Sequence, residues 1–432
     1  WHHADFPFRL PVGPYDETIT THLRRVCHVQ WHDNARIRIN FNSSGRVLRQ
    51  EPTSEELGHL FAYCTRLQSV TLLAAATIVT EVLWASLRAT TSLRWVIIDI
   101  PAPTPLVPLV TLYPLFQRLH GLDLRGHWYE PESEHMDNQT PWRMLELTIR
   151  KGDLNLAAYC PRLQVLRINP HSSQDNTPFF LAPIKSCFRL CQLWVQETCP
   201  QQTMTDMKDS LAACPSLQLL SVNVASQQQA EFLSLFIDTD TTTMPLPLLT
   251  TLSITFLSAH AHLDQRLQQL LISAMESRPR LRRLKVDRIS LDPVECFLAS
   301  TISERANWKA KLESLQLQFL FKDASSDESK KEAWRAFYAK VGKCTSLQEL
   351  QITCSWIDLG PLGGVSQLTS AAALTNLTLM DPGRDYWSED DVKAIAKACP
   401  HLKRLTLHPL NTYSKNYVKV WLHEEERDDI RI

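Results

Sequence analysis

Residues 211–222 read LAACPSLQLLSV, and close copies stand at 159–168 (YCPRLQVLRI), 343–352 (KCTSLQELQI) and 397–407 (KACPHLKRLTL). Their shared element is the hexad L-x-x-L-x-L, with Val, Ile or Met replacing leucine in some copies. In an extended chain alternate side chains face the same way. The second half of the hexad therefore buries two residues on one side of a short strand, and the first leucine fills the space where the chain enters it. One such unit cannot bury its own face, so it predicts stacking against copies of itself.

Working outward, clear copies are Leu67/Val70/Leu72, Leu119/Leu122/Leu124, Leu163/Leu166/Ile168, Leu217/Leu220/Val222, Leu281/Leu284/Val286, Leu312/Leu315/Leu317, Leu347/Leu350/Ile352, Leu374/Leu377/Leu379 and Leu402/Leu405/Leu407. Weaker ones, Leu93/Val96/Ile98, Met144/Leu147/Ile149, Leu190/Leu193/Val195 and Leu249/Leu252/Ile254, bring the total to thirteen. First leucines recur about every 28 residues between 67 and 402, the period of a leucine-rich repeat. Helices are expected between hexads. Thr53 with Glu56 and Ser388 with Asp391 have capping-box spacing, and further helices are predicted over 78–87, 205–213, 227–236, 263–276, 293–305 and 329–342.

The predicted fold class is therefore α/β: a leucine-rich-repeat solenoid (horseshoe) of about 13 irregular repeats, with a parallel sheet on the concave side and helices on the convex side. Residues 55–410 are expected to form the solenoid. Residues 1–54 are read as an N-terminal cap or linker, with Ile37, Ile39 and Phe41 on one strand, and 411–432 as a C-terminal cap and charged tail. Because residue 1 is Trp1 rather than methionine, a further upstream module is expected.

Lys plus Arg, 45, and Asp plus Glu, 46, nearly cancel, which removes the strong positive field of a nucleic-acid or anionic-membrane binder. Neither partner is expected. The most apolar stretch, Val70 to Val79, is short and carries Thr71 and Thr77, so no membrane span is predicted. Six of the 11 cysteines, Cys64, Cys160, Cys187, Cys214, Cys344 and Cys399, stand three residues before a hexad's first leucine. A small thiol packed under the turn accounts for that slot without redox chemistry, and a reduced cytoplasmic or nuclear setting is expected. Cys187 and Cys191 lack the spacing of a zinc ribbon or finger.

The Cys-Pro-x-Leu-x-x-Leu-x-Leu phrases resemble the cysteine-containing leucine-rich repeats of F-box proteins, over about residues 55–410. That resemblance implies that the repeat arc holds a protein substrate, and that an N-terminal F-box grips the adaptor of a cullin-RING ubiquitin ligase. Two features depart from the pattern. The Cys or Asn usual three residues after the L-x-L is replaced by Ala75, His171, Ala225, Ile289, Leu320, Ser355 and Leu410, so irregular turns are expected. No F-box is found; LRRVCHVQW at 23–31 resembles the end of one, with one residue too many between Val-Cys and Trp.

No catalytic constellation or cofactor is predicted. Glycine is scarce, 11 in 432, and neither G-x-x-x-x-G-K-[ST] nor G-x-G-x-x-G occurs, so no phosphate cradle is expected. His423 to Glu426 lacks the second histidine of a metalloprotease helix, His2, His3 and Asp5 read as an exposed end, and DASSDESKKE at 323–332 reads as a solvated acidic loop.

Binding residues follow from the strand alternation, which turns the third, fifth and seventh positions of each hexad to the concave face. Trp95, Asp123, Arg125, Arg150, Arg167, Trp194, Gln196, Arg283, Lys285, Gln316, Gln351 and Arg404 are the predicted protein-binding residues there. Two aromatic segments leave the sheet edge, GHWYEPESEHMDNQTPW at 126–142 and MDPGRDYW at 380–387. They add Trp128, Tyr129, Trp142, Arg384, Tyr386 and Trp387 as rim residues, with local packing as the competing role. The expected function is the substrate-recognition arc of an F-box type ligase subunit. The alternatives are a stand-alone scaffold or inhibitor, the sensor arm of a receptor, or a GTPase-activating repeat protein using Arg384.

Overall fold

The computed structural model describes residues 28–32, 36–41, 44–49, 54–73, 81–100, 113–126, 141–169, 181–198, 201–224, 229–234, 246–256, 280–289, 311–320, 327–355, 373–381, 389–409 and 418–421, with isolated residues 24, 270, 273, 278 and 368. The chain forms two compact units, Trp1–Asp175 with Phe180–Trp194, and Asn176–Phe179 with Val195–Ile432.

In the first unit the strands are β1 (His28–His32), β2 (Arg36–Phe41), β3 (Ser44–Arg49), β4 (Ser69–Leu73), β5 (Trp95–Ile100), β6 (Gly121–Gly126), β7 (Glu146–Arg150) and β8 (Val165–Asn169). β9 (Gln192–Thr198) begins in this unit and ends in the second. From β4 to β8 every pairing is parallel, and the fourth hexad positions Val70, Val96, Leu122, Leu147 and Leu166 align across it. Ahead of the repeats, β1 adds a parallel strand to β4, then β2 and β3 fold back antiparallel. The segment resembling the end of an F-box thus runs into a strand, not a helix, from His28 onward.

The second unit carries β10 (Leu219–Val224), β11 (Thr251–Phe256), β12 (Arg283–Ile289), β13 (Ser314–Leu320), β14 (Glu349–Ser355), β15 (Asn376–Asp381) and β16 (Arg404–Pro409), all parallel. β17 (Val418–Trp421) closes this sheet antiparallel to β16. Where the usual Cys or Asn is replaced by Ile289, Leu320 and Ser355, the strand runs on to that residue, and the β12–β13 register shifts between Val286 and Ile289.

All thirteen hexads become strands that start at the third position, and the first, fourth and sixth residue of each is buried. Each unit is a leucine-rich-repeat solenoid. Two backbone devices set its spacing. In ten repeats the slot carbonyl accepts the N–H of the first leucine, as in Cys64 to Leu67 at 3.0 Å and Cys214 to Leu217 at 3.1 Å, which closes the turn. One residue after that leucine, a carbonyl accepts two N–H groups from the next repeat: Gln68 O takes Arg94 and Trp95 N at 2.8 and 2.9 Å, and Gln348 O takes Thr375 and Asn376 N at 2.9 Å each.

The return segments differ in kind. Helices Ser54–Tyr63, Glu81–Ala89, Gln201–Ala212, Gln229–Ser234, Asp327–Val341 and Glu389–Ala398 match expected ones within a few residues. Trp334, Phe337, Tyr338 and Val341, and likewise Val392, Ile395, Ala396 and Cys399, are the i, i+3, i+4, i+7 stripe that faces the core. The acidic segment at 323–332 is not all loop: from Asp327 it is the first turns of a helix, where Asp and Glu suit the positive end of the dipole. Lys151–Tyr159 and Ala182–Ser186 are 3-10 helices instead of α, and pack against each other. The helices expected over 263–276 and 293–305 lie outside the described residues, apart from isolated positions.

The cysteine slot is structural. Cys64, Cys160, Cys187, Cys214, Cys344 and Cys399 are all buried and none is in a disulfide. The Cys160 thiol donates to Leu156 O at 3.4 Å, and that of Cys187 crosses to Ala157 O of the preceding repeat at 3.3 Å. Burial pushes the Cys64 thiol up to about 12, and those of Cys187 and Cys399 to about 11, so none is a ready nucleophile. Arg278 takes the slot ahead of β12 and is buried there.

Candidate functional site

On the sheet face of the first unit the strand tryptophans stand on built supports. Trp95 is 39% exposed, and its ring lies over Gly121, its register partner on β6. A Cβ at Gly121 would overlap the six-membered edge of the Trp95 ring, so only glycine leaves room for it. Trp194 is half-buried, with the Arg167 guanidinium 4.6 Å above its ring centre and Glu146 3.5 Å from that guanidinium. The cation–π contact at a half-exposed site contributes about 0.5–1 kcal/mol. The ion pair is screened by solvent and adds less than about 1 kcal/mol. The triad holds an aromatic face in a fixed pose. Asp123 and Arg150 lie half-buried on the same face.

The second unit presents a polar surface. Arg283 and Gln196 are exposed, while Lys285 pairs with Asp287 at 3.0 Å and Thr255 donates to that carboxylate at 3.3 Å. Glu349 accepts from Ser314 at 2.9 Å and from Gln316 at 3.4 Å. Gln351 and Arg404 are half-buried. Of these partners Ser314 and Thr255 are the ones the sequence reading passed over. Their signal was present, since Ser314 holds the third hexad position and Thr255 the seventh.

Trp142 requires a correction. It is not a rim residue open to a partner: it is 1% exposed, with Tyr113, Phe116 and Tyr159 rings 5.5, 5.3 and 5.6 Å away and its backbone N–H donating to the Tyr159 main-chain carbonyl at 2.7 Å. It sits two residues before Met144, the entry to a hexad, where the chain turns inward. Trp128, Tyr129, Arg384, Tyr386 and Trp387 lie outside the described residues, as does the side chain of Arg125.

Among the described residues no cluster of three or more His, Cys, Asp or Glu could hold a metal, and no helix is long and apolar enough to cross a membrane. The chain is similar to the leucine-rich repeat-containing protein LegL7 from Legionella pneumophila, with 14% identity and a TM-score of 0.39 over 67% of this chain and 90% of that one. No protein-family model and no curated protein sequence matches the chain. The fold itself suggests a protein-interaction module.

Proposed function

We propose that the chain binds a partner protein on its sheet face, without catalysis, as the substrate-recognition arc of an F-box type subunit of a cullin-RING ubiquitin ligase acting in the cytoplasm or nucleus. The observation that carries this reading is the cysteine slot. Six buried cysteines occupy the slot whose main-chain carbonyl closes the turn ahead of the strand, in the repeat phrase that resembles F-box proteins. Trp95 on Gly121 and Trp194 under Arg167 supply preformed aromatic anchors, the residue type that most often dominates interfaces. A second reading, a stand-alone scaffold or inhibitor, draws support from β1, which extends the sheet ahead of the first hexad. The test is affinity purification of the protein expressed with its native N-terminus. Recovery of a cullin and its adaptor is expected; one stoichiometric partner without the adaptor would overturn the ligase role in favour of the scaffold.

A further inference from the structure

Six consecutive turns of the first unit each carry an arginine beside the first leucine of the hexad: Arg66, Arg94, Arg118, Arg143, Arg162 and Arg189. The carbonyl ladder at the strand entries stacks these turns at about the 4.8 Å strand spacing, with Arg94 one residue after its leucine and the other five one residue before the first hexad residue. No Asp or Glu occurs among residues 64–68, 90–94, 116–120, 141–145, 160–164 and 187–191. Arg66, Arg143, Arg162 and Arg189 are exposed, and among the described residues no carboxylate pairs with any of them. Arg94 and Arg118 are held by backbone carbonyls, Arg94 on Thr91 O and Leu93 O at 3.0 Å and Arg118 on Leu87 O at 2.6 Å. Burial, and then the charge of Arg94, pull Arg118 below its ordinary value, as expected of cations in one row. Next to Arg189 the ring of Phe188 is 53% exposed, 5.8 Å from the guanidinium.

The charge is local. In the second unit Lys or Arg flanks the first leucine in only three of seven turns, Arg280 with Arg282, Lys311 and Lys403, and Arg282 is already paired with Glu313 at 2.8 Å. Like charges at strand spacing repel one another and create a field that an extended anion relieves.

We propose that this strand-entry edge of the first unit docks an acidic, carboxylate-rich segment of a partner protein. It is a different surface from the sheet face and does not depend on what that face holds. Carboxylates fit better than a nucleic-acid backbone on three counts. The whole chain has a net charge of −1 and so lacks the general basic field of a nucleic-acid binder. By hexad position, Asp99, Asp123 and Glu146 offset Arg125, Arg150 and Arg167 on the sheet face of this unit, so that face adds no basic field to the edge. Along the described edge Phe188 is the one exposed large ring, which provides no row of stacking platforms. Planar guanidinium forks engage carboxylates in bidentate fashion, as they do phosphates, so the choice rests on those three counts.

The test is fluorescence anisotropy of the full chain with a labelled deca-glutamate peptide at about 50 mM and about 200 mM salt, where screening should weaken binding about tenfold. Arg143→Gln, Arg162→Gln and Arg189→Gln together should weaken it about tenfold at the lower salt. The same three positions changed to Lys should restore only part of the loss, and an unchanged melting temperature certifies the fold of both variants. No binding at the lower salt, equal binding by the triple Gln variant, or tighter binding of a labelled decauridylate would each overturn the proposal, the last in favour of RNA.

Discussion

Trp95 and Gly121 form a pair in which the smaller residue matters more. The tryptophan was legible from hexad position alone, but its pose was not, because pose depends on the register partner one repeat later. Gly121→Val should drive the ring off β6 and cost about 1–3 kcal/mol from overpacking. In fluorotryptophan-labelled protein, the resonance that disappears in Trp95→Phe should shift in Gly121→Val; an unmoved resonance would contradict the stacked pose. The cysteines make a second residue-level prediction. Under native conditions iodoacetamide should label half-exposed Cys191 well ahead of the six slot thiols, read by peptide mass spectrometry. Labelling of Cys64 or Cys160 as fast as Cys191 would refute their burial. Trp142 shows the limit of reading single residues. Its aromatic, loop-like neighbourhood suggested a rim, yet proximity to Met144 put it in the core.

At the scale of the element, the hexad was nearly sufficient. It encodes a turn, a core leucine and two inward residues, and each of the thirteen copies becomes a strand. Truncating its centre should show this: Leu350→Ala is expected to cost about 2–5 kcal/mol, and Trp142→Ala about 3–5, in urea unfolding. Losses below about 1 kcal/mol would mean that repeat packing is not what stabilises the strands. What the pattern did not convey was how each repeat returns. Between the first hexad residues Met144 and Leu163 the interval is only 19 residues, against 35 between Leu312 and Leu347. A 3-10 helix rises about 2.0 Å per residue where an α-helix rises 1.5 Å, so a short return favours the tighter winding. The short interval fits the 3-10 form at Lys151–Tyr159, whereas Ala182–Ser186 takes that form in an interval of 27 residues, so length is not the only selector.

For the molecule as a whole, the division into two units left no mark in the spacing. First leucines are 27 residues apart on either side of Leu190, and compactness arises from distant contacts that no local motif encodes. The buried thiols act on global stability. Their folded-state values lie above the ordinary 9.0, so they stabilise fully below pH 9 and lose that contribution as pH rises toward 11 to 12, where the native thiols ionise too. The urea midpoint should therefore fall between pH 8 and pH 10.5. A variant with Cys64, Cys187 and Cys399 changed to Ala should fall less steeply; equal slopes would assign the decline to other groups. The carbonyl ladder has a consequence for how such a chain can change over time. Because main-chain atoms at the strand entries within each unit fix the step to the next, a repeat there can gain or lose a dozen residues on its return path without shifting its partners on the sheet. Insertions and deletions there are free to reshape the return side of each unit while its sheet keeps its ruler.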